Sequence, residues 1–289
     1  MTATHTDTAK HVTPIKHILA SHHAADGDGV QIQRVALFNQ PLADPFLLLD
    51  ELASDNPDDY IGGFPPHPHR GMETLTYLRH GTLTHTDHMG NTGEIHSGGA
   101  QWMSAGRGVI HSEMPARELD RLHGFQLWIN LPASDKMQAA QYRDVEQQEM
   151  TEIMLPNAGK ARVIAGNWQL NGKPYSGPLM SLAADARYLD VSLKQGQSLH
   201  LSALPDDYTL LAYPYDGQLQ TNIHSPSRSL LVIDHRGEAE IVAATDVSFL
   251  LLAGRPLREP VVHYGPFVMN SHEEIEQAIR DYQNGTLTN

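Results

Sequence analysis

From Ile15 onward the chain reads as short apolar or alternating runs, each roughly four to eight residues, cut by Gly, Pro, Asn or Asp. VQIQRVAL follows the GDG of Gly27 to Gly29, and PFLLLDELA starts at Pro45. METLTYLRHGTLTHTD, GEIHSGGAQWMSAGRG and GFQLWINLP come next. Alternation places every second side chain on one face, and closely spaced strands of this kind predict an all-β sandwich or barrel. Met1 to about Thr13 shows no period and reads as a loose arm. After Pro132 the texture changes: SDKMQAAQYRDVEQQEM is rich in Gln, Met, Ala and Glu and reads as a linker with a helical portion. Strands resume with ARVIAGNW, YLDVSLKQGQSLHLSAL, YTLLAYPYDGQL, SLLVID, AEIVAA and VSFLLLAG. The end, NSHEEIEQAIRDYQNGTL, takes a helical period with Ile275, Ala278, Ile279 and Tyr282 on one face. Asn270 or Ser271 is its expected N-cap and Gly285 its stop. The expected organisation is an arm over 1–14, a β-rich half over 15–135 and a linker over 136–157. A second β-rich half over 158–289 then ends in a helix over 271–284.

Composition narrows the chemistry. Among 289 residues, 20 Lys and Arg face 34 Asp and Glu, giving a formal charge of -14. Such a balance argues against direct nucleic-acid binding, which needs a basic surface to displace counterions. No apolar stretch is long enough to span a membrane, and the N-terminal residues lack a signal-peptide core, so cytoplasm is the expected compartment. With no cysteine, thiolate metal sites, iron–sulfur clusters and cysteine nucleophiles are excluded. Eighteen histidines remain to be explained.

Spacing sorts them. In FPPHPHRGMET, His67 and His69 are two apart, and Pro68 between them disfavours helix, so both imidazoles share one face of an extended segment. In GVIHSEMP, His111 and Glu113 do the same. Two such pairs on neighbouring strands would offer three nitrogens and one carboxylate to a single metal; the same spacing also suits a polar strand face with Glu113 solvated. Glu73, four residues after His69, is a competing carboxylate. His80, His85, His88 and His96 lie around turns and read as solvated hairpin positions, and His123 as a polar strand position. His5, His11, His17, His22 and His23 are expected to be exposed, while His200, His224, His235, His263 and His272 stand singly. Trp102 and Met103 suit a core or a pocket wall, and Arg70 and Arg107 are candidates to pair with acids near the site.

FPPHPHRGMETLTYL, GGAQWMSAGRGVIHSEMP and VHYGPFVMNSHEEIEQAI resemble the pirin family of the cupin superfamily, over roughly Ile15 to Gly285. Ser104 departs from the second cupin motif, which often has proline there. The resemblance implies two cupin barrels, with a metal held in the first by His67, His69, His111 and Glu113, and with Glu73 close by, orienting an imidazole. It favours Fe(II), while the donor set leaves Cu, Ni, Mn, Co and Zn open. It further implies quercetin 2,3-dioxygenase activity on a flavonol and dioxygen, with Glu113 as the catalytic base. The alternative it implies is a metal-dependent, redox-sensing regulator that binds a transcription factor or metabolic enzyme, and for either role it implies a monomer.

Overall fold

The computed structural model describes residues 12–116 and 121–289. The arm is outside this range as far as residue 11, and His5 and His11 with it. Two β units follow one plan, a seven-stranded sheet joined to a four-stranded one. In the first unit the large sheet runs Gln141–Val145, Ala100–Ser104, Met72–His80, Leu122–Asn130, Phe46–Ser54, Val30–Ala36 and His22–Asp26. Its small sheet runs Phe64–His69, Val109–Pro115, Thr82–Asp87 and Thr92–His96. The second unit repeats the scheme around Thr209–Asp216, Val247–Gly254 and Arg187–Leu193. These are two cupin barrels, as the strand pattern and motifs led us to expect.

The segment expected to be a linker with a helical portion holds two edge strands, and the helical part between them is a single 3₁₀ turn, Gln147–Glu149. Gln141–Val145 is an edge of the first large sheet, paired with Ala100–Ser104. Thr151–Met154 is an edge of the second, paired with Lys160–Ala165. Edge strands keep exposed polar positions, here Gln141 and Arg143, so their composition imitates a solvated helix while pairing decides the conformation. The division into halves is also crossed at both ends. Ile15–Ala20 pairs with Ser229–Ile233 of the second barrel. The C-terminal hairpin, Val262–Tyr264 and Phe267–Met269, and the helix His272–Gln283 pack on the first barrel, where Ile110 lies against the cluster of Phe267, Ile275 and Leu287. Ser271 caps that helix, accepting from the Glu274 backbone N–H in a capping box.

Alternation along the central strands positions the site. On Leu122–Asn130, Phe125, Leu127 and Ile129 join the apolar cluster between the two large sheets, against Tyr188, Leu211 and Leu250. Gln126 and Trp128 face the other way and line a cavity in the first barrel. The interior of the second barrel is filled by Val163, Trp168, Leu189, Leu199, Leu210 and Phe249, each burial contributing about 1.5–3 kcal/mol.

Glu73 follows the inter-barrel face and does not reach the metal-type histidines. It shares parity with Leu75 and Tyr77, which enter the cluster between the barrels. Its Oε2 accepts from the backbone N–H of Ala183 in the second barrel at 2.9 Å. Counting parity through from His69 fails because the chain changes sheets at Gly71. Gly71 has φ +81°, and a Cβ there would stand 2.0 Å from the Val268 carbonyl oxygen. Burial pushes the Glu73 carboxyl from 4.5 up to about 7. The folded protein therefore holds this proton more tightly than the unfolded chain does. The stability it contributes is complete below pH 4.5 and is lost as pH rises through 7, by about 3 kcal/mol. Glu73→Gln should flatten this part of the pH–stability curve and raise stability at pH 8, measured by urea unfolding. An unchanged slope between pH 4.5 and 8 would refute the assignment.

Candidate metal centre

His67 and His69 lie on Phe64–His69, and His111 on its antiparallel neighbour Val109–Pro115, with His111 opposite His67. The three rings converge, with centroids 4.5 Å apart for His67 and His111, 4.8 Å for His67 and His69, and 5.0 Å for His69 and His111. One nitrogen from each falls within 4.8 Å of the others, and among the described residues this is the group close enough to share a metal. His67 Nδ1 lies 2.8 Å from the Pro65 carbonyl oxygen, which directs Nε2 away from that contact. His69 and His111 are both 2% exposed, yet neither ring nitrogen of His69 nor Nε2 of His111 has a hydrogen-bond partner. Burial holds both imidazoles well below the usual histidine range, so at neutral pH they are uncharged and carry lone pairs. Two orphaned, buried, neutral imidazoles are costly without a partner, and a divalent transition metal suits them together with His67.

Glu113 is buried on the same strand but outside the histidine group. Its carboxylate reaches the opposite wall, accepting from Thr76 Oγ1 at 2.9 Å and from Gln126 Nε2 at 3.2 Å. It lines the same cavity as His67 and His69. This cavity, about 780 Å³, falls in the range typical of small-molecule sites. Phe38, Phe64 and Trp128 give it apolar walls, and Trp128 meets His69 edge-on at 5.2 Å. At its polar side Arg34 bridges Asp50 at 2.6 Å and Asp26 at 2.5 Å. From the far end of the chain His263 stacks on Phe38 at 3.9 Å, so the cavity is completed by the C-terminal hairpin.

Two further expectations change. His85 is no solvated hairpin residue: it is fully buried and its Nδ1 lies 3.3 Å from Nδ1 of His111. The signal was available, since Leu83, His85 and Asp87 share one face of Thr82–Asp87 and Leu83 is apolar. His80, His88 and His96 are exposed, as expected of hairpin positions. Arg70 does pair with an acid, but one on the C-terminal helix, Asp281 at 2.7 Å, whereas the Arg107 side chain is exposed. Lys136, inside the supposed linker, is buried and donates to the Gly71 and Val268 carbonyls and to Asn130 Oδ1, at 2.7, 3.0 and 2.7 Å. Met103 is core, and Trp102 packs against the inter-barrel cluster rather than the cavity.

The fold and the histidine cluster define a two-barrel cupin with a candidate metal centre in its first barrel. The chain belongs to the pirin family: the family's model matches residues 29–129, and that of the pirin C-terminal cupin domain matches 188–288. A protein of Vibrio cholerae, provisionally named a quercetin 2,3-dioxygenase, is 48% identical over 272 residues, covering 94% of this chain and 96% of that protein. Mouse pirin is 36% identical, covering 91% of this chain and 90% of its own length. The crystal structure of a quercetin 2,3-dioxygenase from Acinetobacter baumannii superimposes with a TM-score of 0.84 at 30% identity, covering 96% of this chain and 98% of that one.

Proposed function

We propose that the chain is a metal-dependent dioxygenase that opens the heterocyclic ring of quercetin-like flavonols, with dioxygen as co-substrate and a depside and carbon monoxide as products. The observation that carries this reading is the convergence of His67, His69 and His111 beside an aromatic-walled cavity that also holds a tethered carboxylate. His67, His69 and His111 would hold the ion, Fe(II) in our proposal, with Glu113 as the fourth ligand. A metal bound there supplies Lewis acidity toward the substrate oxygens and access to dioxygen chemistry. The chain's own residues do the rest. Phe38, Phe64 and Trp128 stack and bound a planar ring system. Glu113, held by Thr76 and Gln126, accepts the flavonol hydroxyl proton. The names of the Vibrio and Acinetobacter proteins support the same substrate class.

The test is metal analysis of anaerobically purified protein, followed by oxygen uptake with quercetin. Parent protein should bind about one metal and consume oxygen with quercetin, while Glu113→Gln keeps its fold and loses about 10²-fold or more in turnover. Full activity in that variant would remove Glu113 from the mechanism. A metal-loaded parent that leaves quercetin and oxygen untouched would instead favour the regulatory role, exercised through a protein partner.

A further inference from the structure

We propose that His85 is a positioning residue of the metal centre, one that fixes the tautomer in which His111 presents Nε2 to the ion. The inference rests on the metal reading given above and concerns a residue outside its ligand set.

The geometry is a chain of three side chains reaching inward from a hairpin turn. Asp87 ends Thr82–Asp87, and its carboxylate is pinned by the Met89 N–H at 2.9 Å, the Asn91 N–H at 3.0 Å and the Asn91 side-chain amide at 2.7 Å. All three contacts are donors, so the carboxylate is an acceptor. His85, with no exposed surface, places Nε2 at 3.7 Å from Asp87 Oδ2 and Nδ1 at 3.3 Å from His111 Nδ1. The Tyr142 ring, 4.6 Å away and tilted by 31°, covers the imidazole. His111 belongs to the neighbouring strand, lying opposite Asp87, while Glu113 lies opposite His85. The His85–His111 contact is thus a diagonal cross-strand pair, within reach of ring side chains.

Two nitrogens facing each other can share only one proton, and for a pair of uncharged rings this leaves two arrangements. In one, His85 Nδ1 carries the proton, its Nε2 lone pair faces the Asp87 carboxylate, and His111 must carry its own proton on Nε2. That arrangement sets a lone pair against an anion and closes the ligating nitrogen. In the other, His85 is protonated on Nε2, toward Asp87, and its Nδ1 accepts from His111 Nδ1–H. His111 Nε2 is then free as a ligand, and it stands in the histidine group close enough to share an ion. At 3.7 Å the Asp87 contact is longer than a hydrogen bond, but in a buried setting its charge suffices to choose between tautomers. Asp87, through His85, therefore sets the proton on His111. A carboxylate or other acceptor behind a ligating imidazole usually does this directly; here a second histidine relays it.

The experiment compares the parent with His85→Phe, which keeps a ring under Tyr142 but offers no acceptor, and His85→Asn, whose amide oxygen can replace Nδ1. Co(II) and Zn(II) affinities are measured by chelator competition, and ring tautomers by ¹H–¹⁵N correlation in the Zn(II)-loaded protein. Thermal unfolding of the metal-free proteins monitors folding. His111 should be Nδ1-protonated in the parent, and His85→Phe should bind metal 10- to 100-fold more weakly. His85→Asn should recover at least part of that loss, which a purely structural defect would not allow. Metal affinity of His85→Phe within threefold of the parent, or no recovery with Asn, overturns the inference. A parent that binds no metal would instead overturn the metal reading beneath it.

Discussion

Replacing His69 by alanine should leave a folded protein that no longer responds to divalent metal. His69 sits between His67, His111 and Trp128, with both ring nitrogens buried and unpaired. In the metal-free protein neither ring nitrogen has a well-aligned hydrogen-bond partner, the Pro266 backbone being the nearest candidate. Truncating the buried ring leaves a cavity, offset in part by the loss of unpaired polar atoms, so the metal-free variant should be destabilised by about 1–3 kcal/mol and still fold. With metal the comparison reverses. An ion that binds only the folded state stabilises it by RT times the logarithm of one plus the ratio of its free concentration to Kd, about 4 kcal/mol at a thousand times Kd. Parent protein should gain several degrees in Tm on adding Fe(II), Co(II) or Zn(II), and His69→Ala should gain nothing. Losing an outer partner of a ligand costs 10- to 100-fold in affinity, so losing a ligand should cost roughly 10³-fold or more, and turnover of quercetin should vanish with it. Equal metal-dependent shifts in parent and variant, followed by calorimetry, would show that the triad is not the binding site.

Arg70→Ala should be the most destabilising single change we can identify, at about 3–5 kcal/mol in urea unfolding. The guanidinium is 3% exposed and every arm is used. Nη1 meets Asp281 at 2.7 Å, Nη2 donates to the Leu287 carbonyl at 3.1 Å, and Nε donates to the Arg107 carbonyl. One planar fork thus ties the turn after His69 to the helix His272–Gln283 and to the residues that follow it. Truncation orphans the buried Leu287 carbonyl, removes the donor to the partly buried Arg107 carbonyl and leaves a cavity, while Asp281, partly exposed, can be solvated. Arg70→Lys keeps the charge but offers a point donor rather than a fork, so it should recover less than half of the loss. Hydrogen exchange supplies the local check: amides of the C-terminal helix should lose protection first. Uniform loss of protection across both barrels would mean that Arg70 serves the fold generally rather than this junction.

Both effects depend on features of very different legibility. His67, His69, His111 and Glu113 could be picked out because HxH and HxE report a shared face directly whenever a segment is extended. That relation is local, and Pro68 made the extended conformation readable. Glu73 was misplaced by the same rule, because parity does not survive the turn at Gly71 where the chain passes from one sheet to the other. His85 was discounted for its neighbourhood of turn residues, although its alternation with Leu83 pointed inward. Arg34, Asp26, Asp50 and His263 carried no local signal at all, and they meet in the cavity only because distant strands close around it.

By itself, then, the sequence determined that the chain is all-β with a terminal helix, that no thiolate is available to a metal, and which two segments carry the paired histidine and glutamate donors. These are consequences of side-chain period, composition and residue spacing, all of which act over a few residues. Only the tertiary structure decided that the polar edge segments 141–145 and 151–154 are strands, that the strand Ile15–Ala20 and the C-terminal helix each pack on the opposite barrel, and that Glu73 serves the contact between barrels. It also decided that the first barrel keeps a cavity while the second is filled by apolar side chains. Pairing and packing partners lie far apart in sequence, and their choice depends on the free energy of the whole assembly. No short stretch of the chain contains that information.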